Sequence, residues 1–226
     1  MRRSRVKDTR RQKTECGPRP LLRTHKDPPY SAPLAWRERK HRHPAHAVIE
    51  RAQNWLIAQQ SEDGAWRIPG HTHGVAIERM ANPEIGLTGY VAWTLAESGF
   101  KGKALDKALA YLEAHLDEAT ENSYALALAA NAFAAAQPEG KTTKLILQTL
   151  DGMKTPNEHG VAWTTEGQTL CYSRGNSASV EITALVAYAM QQAGAFTPTV
   201  NQALSYLVAT RGASGAWGST QATILA

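Results

Sequence analysis

The sequence predicts an all-α fold in which helices of two kinds alternate along the chain. From Ala45 onward, apolar residues recur at the helical spacing of three and four positions, and no segment alternates with the two-residue period of a strand. Eight helical segments are predicted; some carry a single apolar stripe and the others are apolar nearly all round. This alternation favours stacked helix pairs that form an outer and an inner layer.

The striped helices are predicted over residues 46–60, 103–116, 141–153 and 199–210. Each has one apolar face and therefore one buried side, as expected of an outer layer. The predicted buried stripes consist of Val48, Ala52, Trp55 and Leu56; of Leu105, Leu109, Leu112 and Leu116; of Leu147 and Leu150; and of Leu204, Leu207 and Val208.

The inner helices have almost no charged residues. Residues 87–95 and 124–136 contain none, and residues 178–192 contain only Glu181. A helix without a polar face must be covered on more than one side. Stacked pairs of this kind form an open solenoid or a closed ring, and the composition leaves both open. A plain helical bundle is the competing fold, but it gives no reason for the strict alternation.

Two long connections interrupt the helices, at residues 61–83 and 154–177. Both are rich in Gly, Pro and polar residues and exceed ordinary helix–helix loops. Each follows an outer helix and precedes an inner one, so we expect both to emerge at the same end of the array. Loops of this length on one face are the place to look for binding.

The net charge of +5 is divided unevenly along the chain. Residues 1–44 hold fourteen basic and four acidic residues, a formal +10, which leaves eleven basic and sixteen acidic residues, a formal −5, in residues 45–226. The first segment is predicted to be a disordered leader, with a non-specific nucleic-acid arm as the alternative. The acidic remainder argues against a nucleic-acid surface. Neither a secretory signal nor a membrane span is predicted.

An aromatic–glycine pattern occurs twice at predicted helix ends. Gln60, Gly64 and Trp66 follow the first outer helix, and Arg211, Gly215 and Trp217 follow the last one at the same spacing. The glycine permits a tight turn past the helix end. The indole can then fold over the turn, and the Gln or Arg side chain can bond free carbonyls or stack on the ring. We interpret both as structural corners, with residues 160–163 as a weaker third version.

No metal or cofactor site is predicted. His71 and His73 form a His-x-His pair in a Gly-flanked loop, but no third ligand stands at helical spacing, so a solvated loop is preferred. Cys16 and Cys171 could form at most one disulfide.

Four stretches resemble the thioester domain of the alpha-2-macroglobulins and related complement proteins, in the family's order. They are the Leu-Thr-Gly-Tyr-Val-Ala-Trp run of 87–93, the Ser-Tyr-Ala-Leu-Ala-Leu-Ala run of 123–129, the Ser-Ala-Ser-Val-Glu-Ile-Thr-Ala run of 177–184 and the Gly-Ala-Trp-Gly-Ser-Thr-Gln-Ala-Thr run of 215–223. The family-pattern residues within the last two are Glu181, Thr183, Ser219, Thr220 and Gln221. The corners also resemble those of terpenoid-cyclase and prenyltransferase toroids, but the macroglobulin match is closer.

The resemblance implies an α/α toroid, a closed double-layered ring of helix hairpins. Residues 45–226 are then a partial toroid, incomplete at its C-terminus, because eight helical segments fall short of the family's twelve. It also implies protease inhibition by trapping, other macroglobulin domains and proteases as partners, and an extracellular or periplasmic location. The family's thioester joins the cysteine and glutamine of Cys-x-Glu-Gln, which is absent here; Cys16 is followed instead by Pro18 and Arg19.

An enzyme of the terpenoid-cyclase or prenyltransferase class is the alternative function. It would need an Asp-rich stretch or a zinc site, and neither spacing is present. Glu181 is the one acid inside an otherwise apolar helix, so a raised pKa and a general-acid role are conceivable. We interpret it as a buried, hydrogen-bonded structural group and assign no catalytic residue.

Overall fold

A computed structural model describes residues 44–68 and 79–226, which contain eight α-helices. The helices are α1 (Pro44–Ala58), α2 (Pro83–Glu97), α3 (Lys103–His115), α4 (Ser123–Ala136), α5 (Lys141–Gly152), α6 (Gly175–Gln192), α7 (Thr197–Ala209) and α8 (Thr220–Leu225). A 3-10 helix (Leu116–Ala119) follows α3. None of the helices in the described ranges is long and apolar enough to cross a membrane. The predictions for residues 1–43, including Cys16, and for His71 and His73 lie outside the described residues.

The all-α class and the two layers predicted from the sequence are confirmed. Helices α2, α4, α6 and α8 pack side by side in that order and form the inner layer. Helices α3 and α5 each cover two neighbouring inner helices, and α7 covers α6. The outer helices α3 and α5 bury their predicted stripes, including Leu109, Leu112, Leu147 and Leu150.

The predicted stripes of α1 and α7 are not buried as expected. Val48 and Trp55 of α1 have 54% and 65% of their surface exposed, and Leu204 and Val208 of α7 have 47% and 73% exposed. These helices belong to the first and last hairpins of the described array, so each has a neighbouring hairpin on one side. Leu207 is buried and Leu56 is partly buried against that neighbour, whereas the rest of each stripe faces away from it.

Helix α4 lies at the centre of the core, and its small side chains let its neighbours approach closely. Eight of its fourteen residues are alanine, and every residue from Ser123 to Ala134 is buried. The closest approach is to α2 at Gly89, where an added Cβ would lie 2.9 Å from the backbone nitrogen of Ala129. Such tight packing explains how a helix without a polar face is enclosed on all sides.

Side chains from α2 and α6 meet across the face of α4 that the outer helices leave open. The rings of Trp93 and Tyr188 lie 6.0 Å apart between centroids. One carboxylate oxygen of Glu97 accepts hydrogen bonds from the Trp93 indole, the Tyr188 hydroxyl and the Gln192 amide. The two helices are not neighbours in the inner layer, so these long side chains supply the cover that the alanines of α4 need.

The connection after α5 contains a short antiparallel hairpin that the sequence did not predict. Its strands are β1 (Thr155–Asn157) and β2 (Gly160–Ala162), paired from Thr155 with Ala162 to Asn157 with Gly160. Three-residue strands are too short to show a two-residue hydrophobic alternation. Strand β2 packs on α7 and therefore fixes the position of the residues that follow it.

The close contact at Gly89 predicts that replacing it with alanine destabilises the fold. Alanine improves helix propensity by about 1 kcal/mol, but overpacking the contact with α4 costs roughly 1–3 kcal/mol. We expect Gly89→Ala to lower the free energy of unfolding measured in urea. Gly152→Ala is the matched control, because nothing lies within 4 Å of its added Cβ. Equal effects of the two substitutions would contradict the tight contact.

Candidate functional site

Three tryptophans connect an outer helix to the inner helix that follows it. Each indole Nε1 donates a hydrogen bond of 2.7 Å to a carbonyl oxygen two residues before the last residue of its outer helix. The pairs are Trp66 with Leu56, Trp163 with Leu150, and Trp217 with Leu207. These carbonyls lie at a helix end, where the regular helical partners run out. Leu56 and Leu150 also accept from the N–H groups of Gln59 and Met153, and Leu207 accepts from the Thr210 hydroxyl, so each indole adds a second hydrogen bond.

The backbone N–H of each of these tryptophans donates to a threonine hydroxyl on the next inner helix. The pairs are Trp66 with Thr88 at 3.0 Å, Trp163 with Thr183 at 3.2 Å, and Trp217 with Thr223 at 3.0 Å. We call the indole bond and the amide bond together a tryptophan latch. One residue thus ties the end of an outer helix to the body of the following inner helix.

At the first corner, Gln60 supports the latch of Trp66. Its amide donates to the carbonyl of Gly64 at 2.9 Å and to that of Ala104, at the start of α3, at 2.8 Å. Gly64 has a φ of +98°, and an added Cβ would lie 2.4 Å from the carbonyl oxygen of Lys107. The corner therefore needs glycine for its backbone conformation and for its contact with α3.

At the last corner, Arg211 stands where Gln60 stands in the first. Its Nε donates to the carbonyl of Gly215 at 3.1 Å, and its guanidinium lies 5.4 Å from the ring centre of Trp217. Gly215 also has a positive φ, +81°. Arg211 thus bonds the glycine carbonyl of its corner as Gln60 does in the first corner, and it also makes a cation–π contact with the tryptophan.

The middle corner is the most buried of the three. Trp163 has none of its surface exposed, and Gly160, in β2, has a φ of +145°. Trp163 directly follows strand β2. In this corner the β-hairpin therefore positions the tryptophan, whereas a turn supported by Gln60 or Arg211 does so in the other two.

Glu181 lies in the core beside the loop that follows the middle corner. Glu181 is 1% exposed, and its carboxyl group accepts hydrogen bonds of 3.0 Å from the hydroxyls of Tyr124 and Thr169, with a further bond from Ser173. Burial raises the pKa of Glu181, and the three hydroxyl donors partly offset that increase. Burial and the Glu181 charge raise the pKa of Tyr124 in turn.

The hydrogen bonds continue from Glu181 into the loop and into α8. The Tyr124 hydroxyl accepts from the backbone N–H of Leu170 at 3.1 Å, and the hydroxyl oxygens of Ser173 and Ser219 lie 3.1 Å apart. Ser219 also caps α8, since its hydroxyl accepts from the Ala222 N–H. The carboxyl group of Glu181 therefore links α4, α6, the loop at residues 164–174 and α8.

The remaining predicted residues lie close to this network without the same role. Thr220 and Gln221 form the first turn of α8, where Thr220 is exposed and Gln221 is partly buried. Cys171 is an exposed free thiol, and partial burial together with the Glu181 charge raises its pKa. A raised pKa keeps the thiol protonated and weakly nucleophilic.

The sequence alone did not identify the partners of Glu181 and of the tryptophans. Tyr124 and Thr169 lie 57 and 12 residues away from Glu181, and Thr88 follows Trp66 by 22 residues. One signal was available for the latches. Three of the four family-like stretches place four threonines in inner helices, and three of these, Thr88, Thr183 and Thr223, accept from tryptophan.

Stacked outer and inner helices joined by tryptophan latches define a double-layered α/α toroid domain. A family model described as the A-macroglobulin TED domain matches residues 36–226. The chain therefore belongs to the thioester-domain family of the alpha-macroglobulins, which confirms the resemblance and the toroid class predicted from the sequence. Domains of this family are parts of larger macroglobulin chains.

The latch predicts that Thr183 is needed as a hydrogen-bond acceptor. Thr183→Val keeps the shape but leaves the buried N–H of Trp163 without its acceptor, which costs roughly 1–3 kcal/mol of unfolding free energy. Thr94→Val is the control, because the Thr94 hydroxyl is exposed and bonds only within its own helix; we expect a change below about 0.5 kcal/mol there. Urea titrations of both variants test the difference.

The buried carboxyl predicts a stability that depends on pH. Because the pKa of Glu181 is raised, the folded state holds its proton more tightly than the unfolded state. Its contribution is full below the ordinary pKa of 4.5 and is lost as the pH rises through the folded-state pKa. We therefore expect the unfolding free energy of the wild type, relative to Glu181→Gln, to fall as the pH rises above 4.5 and through the raised folded-state pKa.

Urea titrations across this pH range measure that difference. Glu139→Gln, at an exposed carboxyl, controls for the removal of one charge. A wild-type advantage that increases with pH would show that Glu181 is stabilised as a carboxylate and would contradict the prediction.

Proposed function

We propose that this chain acts as a thioester-domain-like packing module, without a thioester, in a protease-inhibitor-like macroglobulin protein. The observation that carries the proposal is the family match over residues 36–226, combined with the lack of any Cys-x-Glu-Gln in the sequence. An internal thioester needs a glutamine side chain as the acyl partner of the cysteine, so this sequence does not supply the bond.

The surroundings of Cys171 support the same proposal. Gln168 is the one glutamine within three residues of either cysteine. It is 4% exposed, and its carbonyl oxygen accepts two hydrogen bonds from the guanidinium of Arg174, at 2.6 and 3.2 Å. The Cys171 side chain is exposed and its raised pKa disfavours the thiolate that attack on an amide would require.

The burial of Glu181 supports a role that is not enzymatic. A general acid must lie within hydrogen-bond reach of a substrate atom. Glu181 is 1% exposed, and its two oxygens already accept bonds from Tyr124, Thr169 and Ser173. The carboxyl group is thus occupied in holding the loop at residues 164–174, which favours a structural role over that of a toroid enzyme.

Partners and location follow from the family. We propose that the module contacts other macroglobulin domains, that the assembled protein encounters proteases, and that it does so outside the cytoplasm. The loop at residues 164–174 joins three inner helices through Glu181 and Ser173. These bonds hold one end of the inner layer rigid, which suits a module that packs against other domains.

A thiol count tests the lack of a thioester. We expect both Cys16 and Cys171 to be alkylated when the protein is unfolded without methylamine, and we expect methylamine to leave the intact mass unchanged. A thioester would hide one thiol and would add one methylamine with release of that thiol. Cys171→Ser is the control, since it should lose one alkylation and nothing else. A gain of methylamine in the mass spectrum would contradict the proposal.

A further inference from the structure

Two steps of the array bring a corner glycine onto the next outer helix in the same register. A Cβ added at Gly64 would meet the carbonyl oxygen of Lys107 in α3, and a Cβ added at Gly160 would meet that of Gln202 in α7. The first corner therefore sits on α3 as the middle corner sits on α7. Residues at the same distance from Lys107 and from Gln202 occupy equivalent positions in the two helices.

A tyrosine follows each of these contact residues by four positions, Tyr111 in α3 and Tyr206 in α7. At the first step a cation covers the ring, because the guanidinium carbon of Arg67 lies 5.6 Å from the ring centre of Tyr111. Asp63 and Glu84 hold this guanidinium through ion pairs of 2.8 and 2.9 Å. One arginine side chain thus lies between the first corner and α3.

The equivalent space beside Tyr206 is an open cleft. Thr164 directly follows the tryptophan of the middle corner, whereas Arg67 follows that of the first, so no guanidinium stands at this position. The cleft has a volume of about 550 Å³ and is lined by Tyr206, by the β-hairpin turn at residues 157–159, by the start of α6 and by the last corner. Its volume is within the range of ligand sites. We call it the Tyr206 cleft.

The Tyr206 cleft lies between two hairpins that the structure describes. The β-hairpin and α6 form one wall, and α7 with the last corner forms the other. The exposed side chains of Leu204 and Val208 are each two positions from Tyr206, which places them about 160° away around α7. A further hairpin packed on Leu204 and Val208 would therefore leave the cleft open.

The lining of the cleft favours a cationic ligand. Its charged side chain is Glu158, and neither lysine nor arginine is among the described residues that line it. The Glu158 side chain is 84% exposed, and its Oε1 lies 3.3 Å from the Nε2 of His159. A tyrosine ring and a carboxylate facing one space are the groups that hold Arg67 at the first step. A guanidinium matches both, since it stacks on aromatic rings and pairs with carboxylates.

We propose that the Tyr206 cleft binds the guanidinium group of an arginine side chain in a polypeptide, between the ring of Tyr206 and the carboxylate of Glu158. The bound arginine takes the position that Arg67 occupies at the first step. The inference does not depend on the proposed function, because it rests on the comparison of two corners within this chain.

Peptide titrations of the full chain, followed by NMR, test the ligand chemistry. The probe is acetyl-Gly-Arg-Gly-amide, and the control is the same peptide with citrulline, which keeps the shape of arginine without its charge. We expect saturable binding of the arginine peptide and binding of the citrulline peptide that is weaker by about tenfold or more. Equal binding of the two peptides would overturn the proposal.

Variants of the cleft test its location. We expect Glu158→Gln and Tyr206→Leu each to weaken binding of the arginine peptide by about fivefold or more, and Tyr206→Phe, which keeps the ring, to stay within about twofold of the wild type. Glu139→Gln, at an exposed carboxyl outside the cleft, controls for the loss of one charge. Circular dichroism verifies that each variant is folded. Unchanged binding by both Glu158→Gln and Tyr206→Leu would contradict the proposed site.

The arginine can come from a partner or from this chain, because residues 1–43 contain ten arginines. A full-length variant with these ten changed to glutamine separates the two sources. If they occupy the cleft, this variant binds the arginine peptide more tightly than the wild type does; if a partner supplies the arginine, the two chains bind it equally. A lack of saturable binding by both chains would overturn the proposal.

Discussion

The indole hydrogen bond to the end of an outer helix is the interaction on which the layered arrangement depends. Helix ends leave carbonyl groups without partners, and a chain that turns back into an apolar inner layer brings such groups toward the core. Trp66, Trp163 and Trp217 each add an indole hydrogen bond in the same register, to the carbonyl two residues before the helix ends, which also accepts one weaker turn or side-chain bond. The large ring then fills the space beneath the turn, so one side chain satisfies a polar group and packs the corner.

The corner between α3 and α4 shows why the latches stand where they do. That connection is short: a 3-10 helix, two further residues and the N-cap residue Asn122, whose side-chain oxygen accepts from the N–H groups of Tyr124 and Ala125. Local bonds are enough to fix such a turn. The other three connections from an outer to an inner helix, after α1, α5 and α7, are longer. In each of them a tryptophan latch fixes the position of the outer helix end relative to the next inner helix. The loops can therefore vary without moving the helices.

Much of the fold could be predicted because its constraints are local in sequence. The lack of charge in residues 124–136 required an enclosed helix, and α4 is buried from Ser123 to Ala134. The spacing of Gln60, Gly64 and Trp66 described a corner within seven residues. The threonine acceptors, and the hydroxyl partners of Glu181, could not be predicted in this way, because they are brought together by packing between helices that are distant in the chain. The exposed stripes of α1 and α7 likewise depend on which neighbours a helix has, which periodicity does not record.

Helix α1 illustrates how polar bonds can replace apolar cover at an open side of the array. Most of its predicted stripe faces away from the body, and amides hold the helix in place: Gln53 donates to the carbonyl and hydroxyl of Ser98, and Gln60 donates to the carbonyls of Gly64 and Ala104. The Gln53 bonds are exposed and the Gln60 bonds are partly buried, and exposed hydrogen bonds stabilise less than buried apolar area does. The helix is therefore held in position by amide bonds, although Val48 and Trp55 of its stripe are exposed.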